Sequence, residues 1–331
     1  MYFKLDVQNL ESIIVKTGLF GIILITNVFV VTIWLSRNIR TPVSVLLSII
    51  AIYDTLAMMS GLVKSISSNI FGNWPHVTGC YIDILSLILA ILFHSLSILS
   101  TTFLAIQRAV VCAFPFTGPR LCGTKTTTFF VVVSFAAMMT FCIPLVLFRD
   151  VQSIIKLSAN NVSAMYCSFD NIVWFKDMWK MYSIVRFVTL HLTPAVLITI
   201  CMAICLLTIH RRQMVSGQSS NRQIKSRTTV MLVLVMFIFV LGELPTTALM
   251  YYYSFLPKEP AWIKTSMGVW FCNTTLNISY MMNIWVYIAM SKQFRDQLKE
   301  KFTVCTTSSS QGKTGNTNRQ IVNAESNIPP E

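Results

Sequence analysis

A handful of polar side chains in this sequence sit where they could do chemistry at high cost. Asp54, Asp83, Arg108, Arg186 and Glu243 are ionisable, and Asn27, Asn283 and Tyr287 are polar; all lie in or at the edge of long apolar stretches. A charged or polar group in hydrocarbon is expensive, so its presence there points to ligand, ion or switch chemistry. Asp54 left charged and unpartnered would cost several kcal/mol, roughly what transfer scales assign to such a group. It therefore needs partners or a proton. Asp83 and Glu243 could each pair with a guanidinium, because a carboxylate rewards bidentate arginine contact. Asp83 could equally pair with Arg186 inside the protein, and Glu243 could be a protonated structural acid near Asn277. His94, alone among apolar residues, reads as a satisfied core group. No Walker loop, metal-spaced histidine cluster or nucleophile–base pair is present, and none of the nine cysteines forms a CxxC pair. Zinc binding and catalysis are not indicated.

The elements that position these groups are seven apolar stretches, at 13–35, 43–63, 80–112, 126–148, 181–209, 228–253 and 265–290. Each is near or above the ~20 residues a helix needs to cross a bilayer. Helices are expected because lipid offers the backbone no hydrogen-bonding partner. Hydrophobic residues make up 54% of the 331 residues and charged residues 12%, against roughly 25% charged in a soluble domain. The expected fold is all-α, a seven-transmembrane helix bundle. The net charge of +13 lies in the loops, where it suits lipid headgroups and membrane orientation rather than nucleic acid. Fifteen lysines and arginines fall on one side of the bilayer, notably Arg211, Arg212, Arg222, Lys225 and Arg227, and nine fall on the other. That bias places the N-terminus outside and the C-terminus in the cytosol. The first stretch is too long for the core of a signal peptide, so residues 1–12 are expected to form a short extracellular segment.

The bundle is expected to span 13–290. Residues 291–302 follow as an amphipathic helix, with Phe294, Leu298 and Phe302 on one face, suited to lying along the inner leaflet. Cys305 is a candidate for palmitoylation; an unmodified cytosolic thiol is the alternative. Residues 303–331 are polar and read as a disordered tail. The sequon at Asn161 falls in the second outer loop, where a glycan can be added.

Several of these residues stand in the order of a known pattern. Asn27, Asp54, Gln107-Arg108-Ala109, Pro194, Pro245 and Asn283-Ile-Trp-Val-Tyr287 recur at suitable spacing over residues 13–302. The chain thereby resembles the rhodopsin-like (class A) G-protein-coupled receptors. His94-Ser-Leu-Ser97 running into Arg108, and Gly242-Glu243-Leu-Pro245, are similar to the myosuppressin and sex-peptide receptor group, whose ligands include amidated peptides ending in Arg-Phe.

The resemblance implies roles residue by residue. Asn27, Asp54, Ser97, Ser279 and Asn283 would form a polar pocket able to hold a sodium ion, since oxygen donors suit a hard cation. Arg108 would be the switch toward a heterotrimeric G protein, with arrestin a candidate second partner. Gln107 replaces the usual acid beside it, and no acid opens span six, so raised basal signalling is expected. Pro194 and Pro245 would be pivots, and Tyr287 would swing inward. Ile284 replaces the usual proline of span seven, which implies a straighter helix. Cys80 and Cys167 would form a disulfide over the cavity. A peptide would meet Asp83, Arg186 and Glu243, with Trp262, Trp270 and Phe271 near the mouth to receive a Phe ring. A small-molecule chemosensory receptor, a receptor that no longer signals, and a transporter are the alternatives. The odd span count and the lack of an internal repeat weigh against a transporter.

Overall fold

In the computed structural model, residues 7–36, 41–70, 77–147, 149–157, 163–171, 176–215, 220–255 and 266–311 are described. Span one is Val7–Trp34, span two Pro42–Ile70, span three Val77–Ala113 and span four Thr124–Leu147. Span five is built from Lys176–Arg186, Phe187–Leu192 and Thr193–Val215. Span six is Ser220–Phe255, span seven Ser266–Met290, and a final helix covers Lys292–Gln311. Spans one to six each contain a segment long and apolar enough to cross a membrane unaided. Span seven is the more polar one: Asn273, Thr274, Thr275, Asn277, Ser279 and Asn283 break its apolar run. It is held by its partners, packing chiefly on span six and also on span one.

The helix ends follow from local chemistry. At the start of span two, the Thr41 amide donates to Ser44 Oγ at 2.7 Å and the Ser44 amide donates to Thr41 Oγ1 at 3.1 Å. This is the reciprocal logic of a capping box. Ser291 Oγ accepts the Phe294 amide at 3.1 Å and starts the last helix. Arg295 Nη1 donates back to the Ile288 and Ala289 carbonyls at 2.9 and 2.8 Å, covering the open end of span seven.

Span five has an interruption. Phe187–Leu192 is a π-helical turn, lying just before Pro194. A proline has no amide proton and its ring collides with the carbonyl four residues back, so the preceding turn widens. Pro245 and Pro144 lie inside spans six and four. Span seven, with Ile284 in place of a proline, runs unbroken from Ser266 to Met290.

Packing inside the bilayer gains little from hydrophobicity, because lipid is as apolar as leucine; close contact of small residues matters more. The most extensive interface joins spans two and three. Those two spans carry buried Ser44, Ser48, Ser60, Ser86, Ser95, Ser97 and Ser100. Gly242 of span six is a second case. A Cβ placed there would lie 2.6 Å from Ser279 Cβ and 2.7 Å from Ser279 Oγ on span seven. Only glycine allows the two helices to meet there. Trp34, Tyr287 and Phe294 pack ring on ring, with centroids 5.5–5.6 Å apart, where spans one and seven meet the last helix. Phe129, Val132 and Ile25 are exposed, as lipid-facing residues should be.

One element departs from the all-helical expectation. Arg149–Leu157 and Ser163–Asn171 form an antiparallel hairpin between spans four and five, with Ser153 opposite Cys167. The stretch mixes polar residues with no strict alternation, so it read as loop.

Candidate functional site

Three spans bring titratable side chains together at one point. His94 comes from span three, His191 from the widened turn of span five, and Glu243 from span six beside Gly242. His94 Nε2 lies 3.4 Å from Glu243 Oε1, and His191 Nδ1 lies 3.9 Å from Glu243 Oε2. The two rings are 6.3 Å apart between centroids. On its other edge, His94 Nδ1 shares a 2.8 Å hydrogen bond with the Tyr280 hydroxyl of span seven. With the hydroxyl as donor, the imidazole proton sits on Nε2 and faces Glu243. His94 Nε2, His191 Nδ1 and both Glu243 carboxyl oxygens are buried, and none has a hydrogen-bond partner among the described residues. Each such orphan costs about 1–3 kcal/mol, and four converging on one point make this the candidate site.

A small cleft of about 10 Å³ lies beside them, lined by Ile98, Leu190, His191, Pro194, Phe239 and Glu243 among others. Arg186 ends the first segment of span five, five residues before His191. Its charge acts on both His94 and His191, and Tyr182 and Cys142 lie within its electrostatic reach. Arg186 Nε is buried without a hydrogen bond, and so is Asp83 Oδ1. No ion pair joins the two.

The Asp54 region is put together differently. Asp54 is almost fully buried and its Oδ1 accepts the Ser97 hydroxyl at 2.5 Å. The expected Asn27 contact is not made. Asn27 Nδ2 donates instead to the Ala51 carbonyl at 3.2 Å and to Thr55 Oγ1 at 2.9 Å, tying span one to span two. Ser279 Oγ donates to the Leu276 carbonyl at 2.7 Å, and Asn283 is half-buried. Of the five residues expected in the polar pocket, Asp54 and Ser97 are the two that a hydrogen bond joins to each other.

At the other end of span three, Gln107 is buried and its Nε2 donates to Thr127 Oγ1 of span four at 2.9 Å. Arg108 next to it makes no ion pair among the described residues, and its Nε is buried without a hydrogen bond. The thiols of Cys112, Cys122 and Cys205 lie within its electrostatic reach.

The remaining expected residues fall variously. Pro194 lines the cleft, Pro245 is half-buried two residues past Glu243, and Tyr287 is buried in the ring cluster. Trp270 and Phe271 are about half exposed, at 48% and 54%, so they sit at the outer surface of the helix rather than in the cleft. Trp262 and Asn161 lie outside the described residues, as do the side chains of Cys80, Cys167 and Cys305. His94 is not the isolated core histidine expected: it has Tyr280 on one side and Glu243 on the other. Glu243 faces the two imidazoles, and no hydrogen bond joins it to Asn277. His191 went unremarked in the sequence. The signal was there, since it is a polar residue inside an apolar span three positions before a proline.

Residues 26–311 match the family model described as 7 transmembrane receptor (rhodopsin family). The chain is similar to the sex peptide receptor of Drosophila melanogaster, with 24% identity over 85% of this chain and 70% of that protein. It is also similar to the thyrotropin-releasing hormone receptor of Bos taurus, with 22% identity over 83% of this chain and 73% of that one. The family is one of membrane-embedded receptors and not of enzymes. Seven packed helices, a buried carboxylate on span two, an arginine closing span three and a family match over most of the chain agree: this protein belongs to the rhodopsin family of seven-transmembrane receptors.

Proposed function

We propose that the chain is a plasma-membrane receptor for a short extracellular peptide, and that peptide binding activates a heterotrimeric G protein at the Arg108 end. The observation that carries this reading is the cluster of His94, His191 and Glu243, in which His94 Nε2, His191 Nδ1 and both Glu243 oxygens face one another beside a cleft with no hydrogen bond among the described residues. The names of the similar proteins, receptors for sex peptide and for thyrotropin-releasing hormone, support it. The charge bias of the loops supports an outer N-terminus.

The cluster can drive the response because it adjoins the pivots. Glu243 is two residues from Pro245, and His191 is three from Pro194. Moving an equilibrium from 1:99 to 99:1 takes about 5.5 kcal/mol of differential binding. Hydrogen bonds to charged groups give about 1.5–3 kcal/mol each, so two or three contacts made only in the active state suffice. A sodium ion at Asp54 and Ser97 would favour the inactive state, and arrestin would use the same cytosolic face.

The test is G-protein activation in cells expressing the chain at the surface, read by energy transfer during exposure to a library of amidated peptides. A saturable response that disappears in Arg108→Ala and shifts at least tenfold in Glu243→Gln is expected. Silence across the library from a surface-expressed receptor would overturn the peptide reading and favour a small-molecule ligand.

A further inference from the structure

The two charges near the cleft are not equivalent. Glu243 has internal counterparts, an imidazole at 3.4 Å and a second at 3.9 Å, with Tyr280 fixing the first. Arg186 has none among the described residues. Among the described residues, Asp83 of span three keeps a buried carboxyl oxygen unbonded rather than pairing with it. The other groups that feel its charge are two imidazoles, a phenol and a thiol, and none is a carboxylate. An unpaired guanidinium packed among helices is costly. Its fork of donors fits a planar pair of oxygen lone pairs better than any other chemistry.

We infer that Arg186 is the docking point for a planar oxygen acceptor of the ligand, a carboxylate or a carboxamide, and that the ligand presents this group next to the His94–Glu243–His191 cluster. The inference rests on the peptide reading above and refines it. The sequence alone suggested that receptor acids would read a basic ligand. Among the described residues near the cleft, the positive charge is the one without a counterpart. A peptide carries acceptors of this kind at its C-terminal carboxamide or carboxylate and on acidic side chains.

One arm of the test needs no ligand. Purified Arg186→Met receptor should melt at the same temperature as the wild type or higher, because an apolar chain of similar length replaces an unsatisfied charge. A clear fall in melting temperature would overturn the inference by revealing a built-in partner. The second arm uses an active library peptide. Arg186→Gln should lower its potency about 10- to 100-fold, the range for a lost hydrogen bond to a charged group, and Arg186→Lys should retain part of it. Matched analogues then locate the acceptor, one lacking the terminal carboxamide and others with Asp or Glu changed to alanine. The analogue that removes the true partner should be weak on the wild type and insensitive to Arg186→Gln. Losses that add in every analogue would overturn the inference even though the peptide reading stands. A library with no active peptide would instead count against the peptide reading, leaving the melting arm to decide whether the cation lacks a partner.

Discussion

Asp54 and Glu243 are both carboxylates buried in the bundle, and their surroundings are opposite. Asp54 accepts a hydrogen bond from Ser97, and nearby Asn27 knits spans one and two together through Ala51 and Thr55. Both oxygens of Glu243 lack a bond among the described residues, and it faces two imidazoles at longer range. The same contrast recurs at the end of span three, where Gln107 is bonded to Thr127 and its neighbour Arg108 makes no ion pair among the described residues. The difference separates polar groups that hold the frame from polar groups kept available. A satisfied buried network rigidifies, whereas an unsatisfied one is costly enough to need a reason outside the folded state.

The largest expected effect tests that separation directly. Asp54→Ala leaves Ser97 without its acceptor and should cost about 3 kcal/mol, the upper end for an orphaned buried partner. The loss should appear as a lower melting temperature in detergent. Glu243→Gln should change stability by less than about 1 kcal/mol, because it breaks no existing bond, while shifting agonist potency. A Glu243→Gln receptor less stable than Asp54→Ala would erase the distinction between the two sites.

Gly242 is where the two regions touch, since it precedes Glu243 and lies against Ser279 of span seven. A methyl group there meets Ser279 at 2.6 Å. Overpacking at a tight contact costs about 2 kcal/mol, so Gly242→Ala should lower stability and push span six away from span seven. Ser279→Ala removes only the hydroxyl and leaves the Cβ that the new methyl would meet. The double variant should therefore recover a fraction of the loss, and full recovery would show that the hydroxyl alone sets the contact.

Much of this was legible in the sequence. Six of the spans follow from apolar length, the seventh from a stretch that polar residues interrupt, and Asp54, Glu243, Pro194 and Pro245 stand out because polar residues and prolines are conspicuous in a lipid-length segment. What was not legible depends on rotation and depth. Asn27 lies at the expected level, but its amide turns to the span-two backbone. Trp270 and Phe271 are on the expected span, yet they sit on its outer face. The pairing of His94 with Glu243 and His191 needed the widened turn before Pro194, because adding a residue to one turn rotates everything on its far side. The hairpin carries no strict alternation, so no pattern announced it.

A smaller effect sharpens the account of Asp54. If sodium binds there at tenfold above its dissociation constant, it adds about 1.4 kcal/mol of stability. Melting temperature should then be higher in sodium than in equal potassium for the wild type. The difference should vanish in Asp54→Asn and persist in Glu243→Gln. Persistence in Asp54→Asn would place the ion elsewhere or reduce it to a salt effect.

The smallest effect concerns Gln107 and Arg108. A carboxylate at position 107 would stand beside a guanidinium that has no ion pair among the described residues, and Thr127, which accepts from Gln107, would have to turn its hydroxyl from the Gly123 carbonyl to donate to it. With position 107 buried and Arg108 half-buried, the attraction is partly offset by desolvating the new carboxylate, leaving about 0.5–1 kcal/mol, or two- to fivefold in the population of the active state. Gln107→Glu should therefore lower basal G-protein activity by that factor at equal surface expression, with wild-type basal activity standing above that of Arg108→Ala. Thr127→Val acts on the frame instead: it removes the Gln107 hydrogen bond, and should lower stability while leaving basal activity near the wild-type value. If Gln107→Glu left basal signalling unchanged, Arg108 would be restrained by something other than its missing acid. The division between held and available groups would then fail at this end of the bundle while standing at the other.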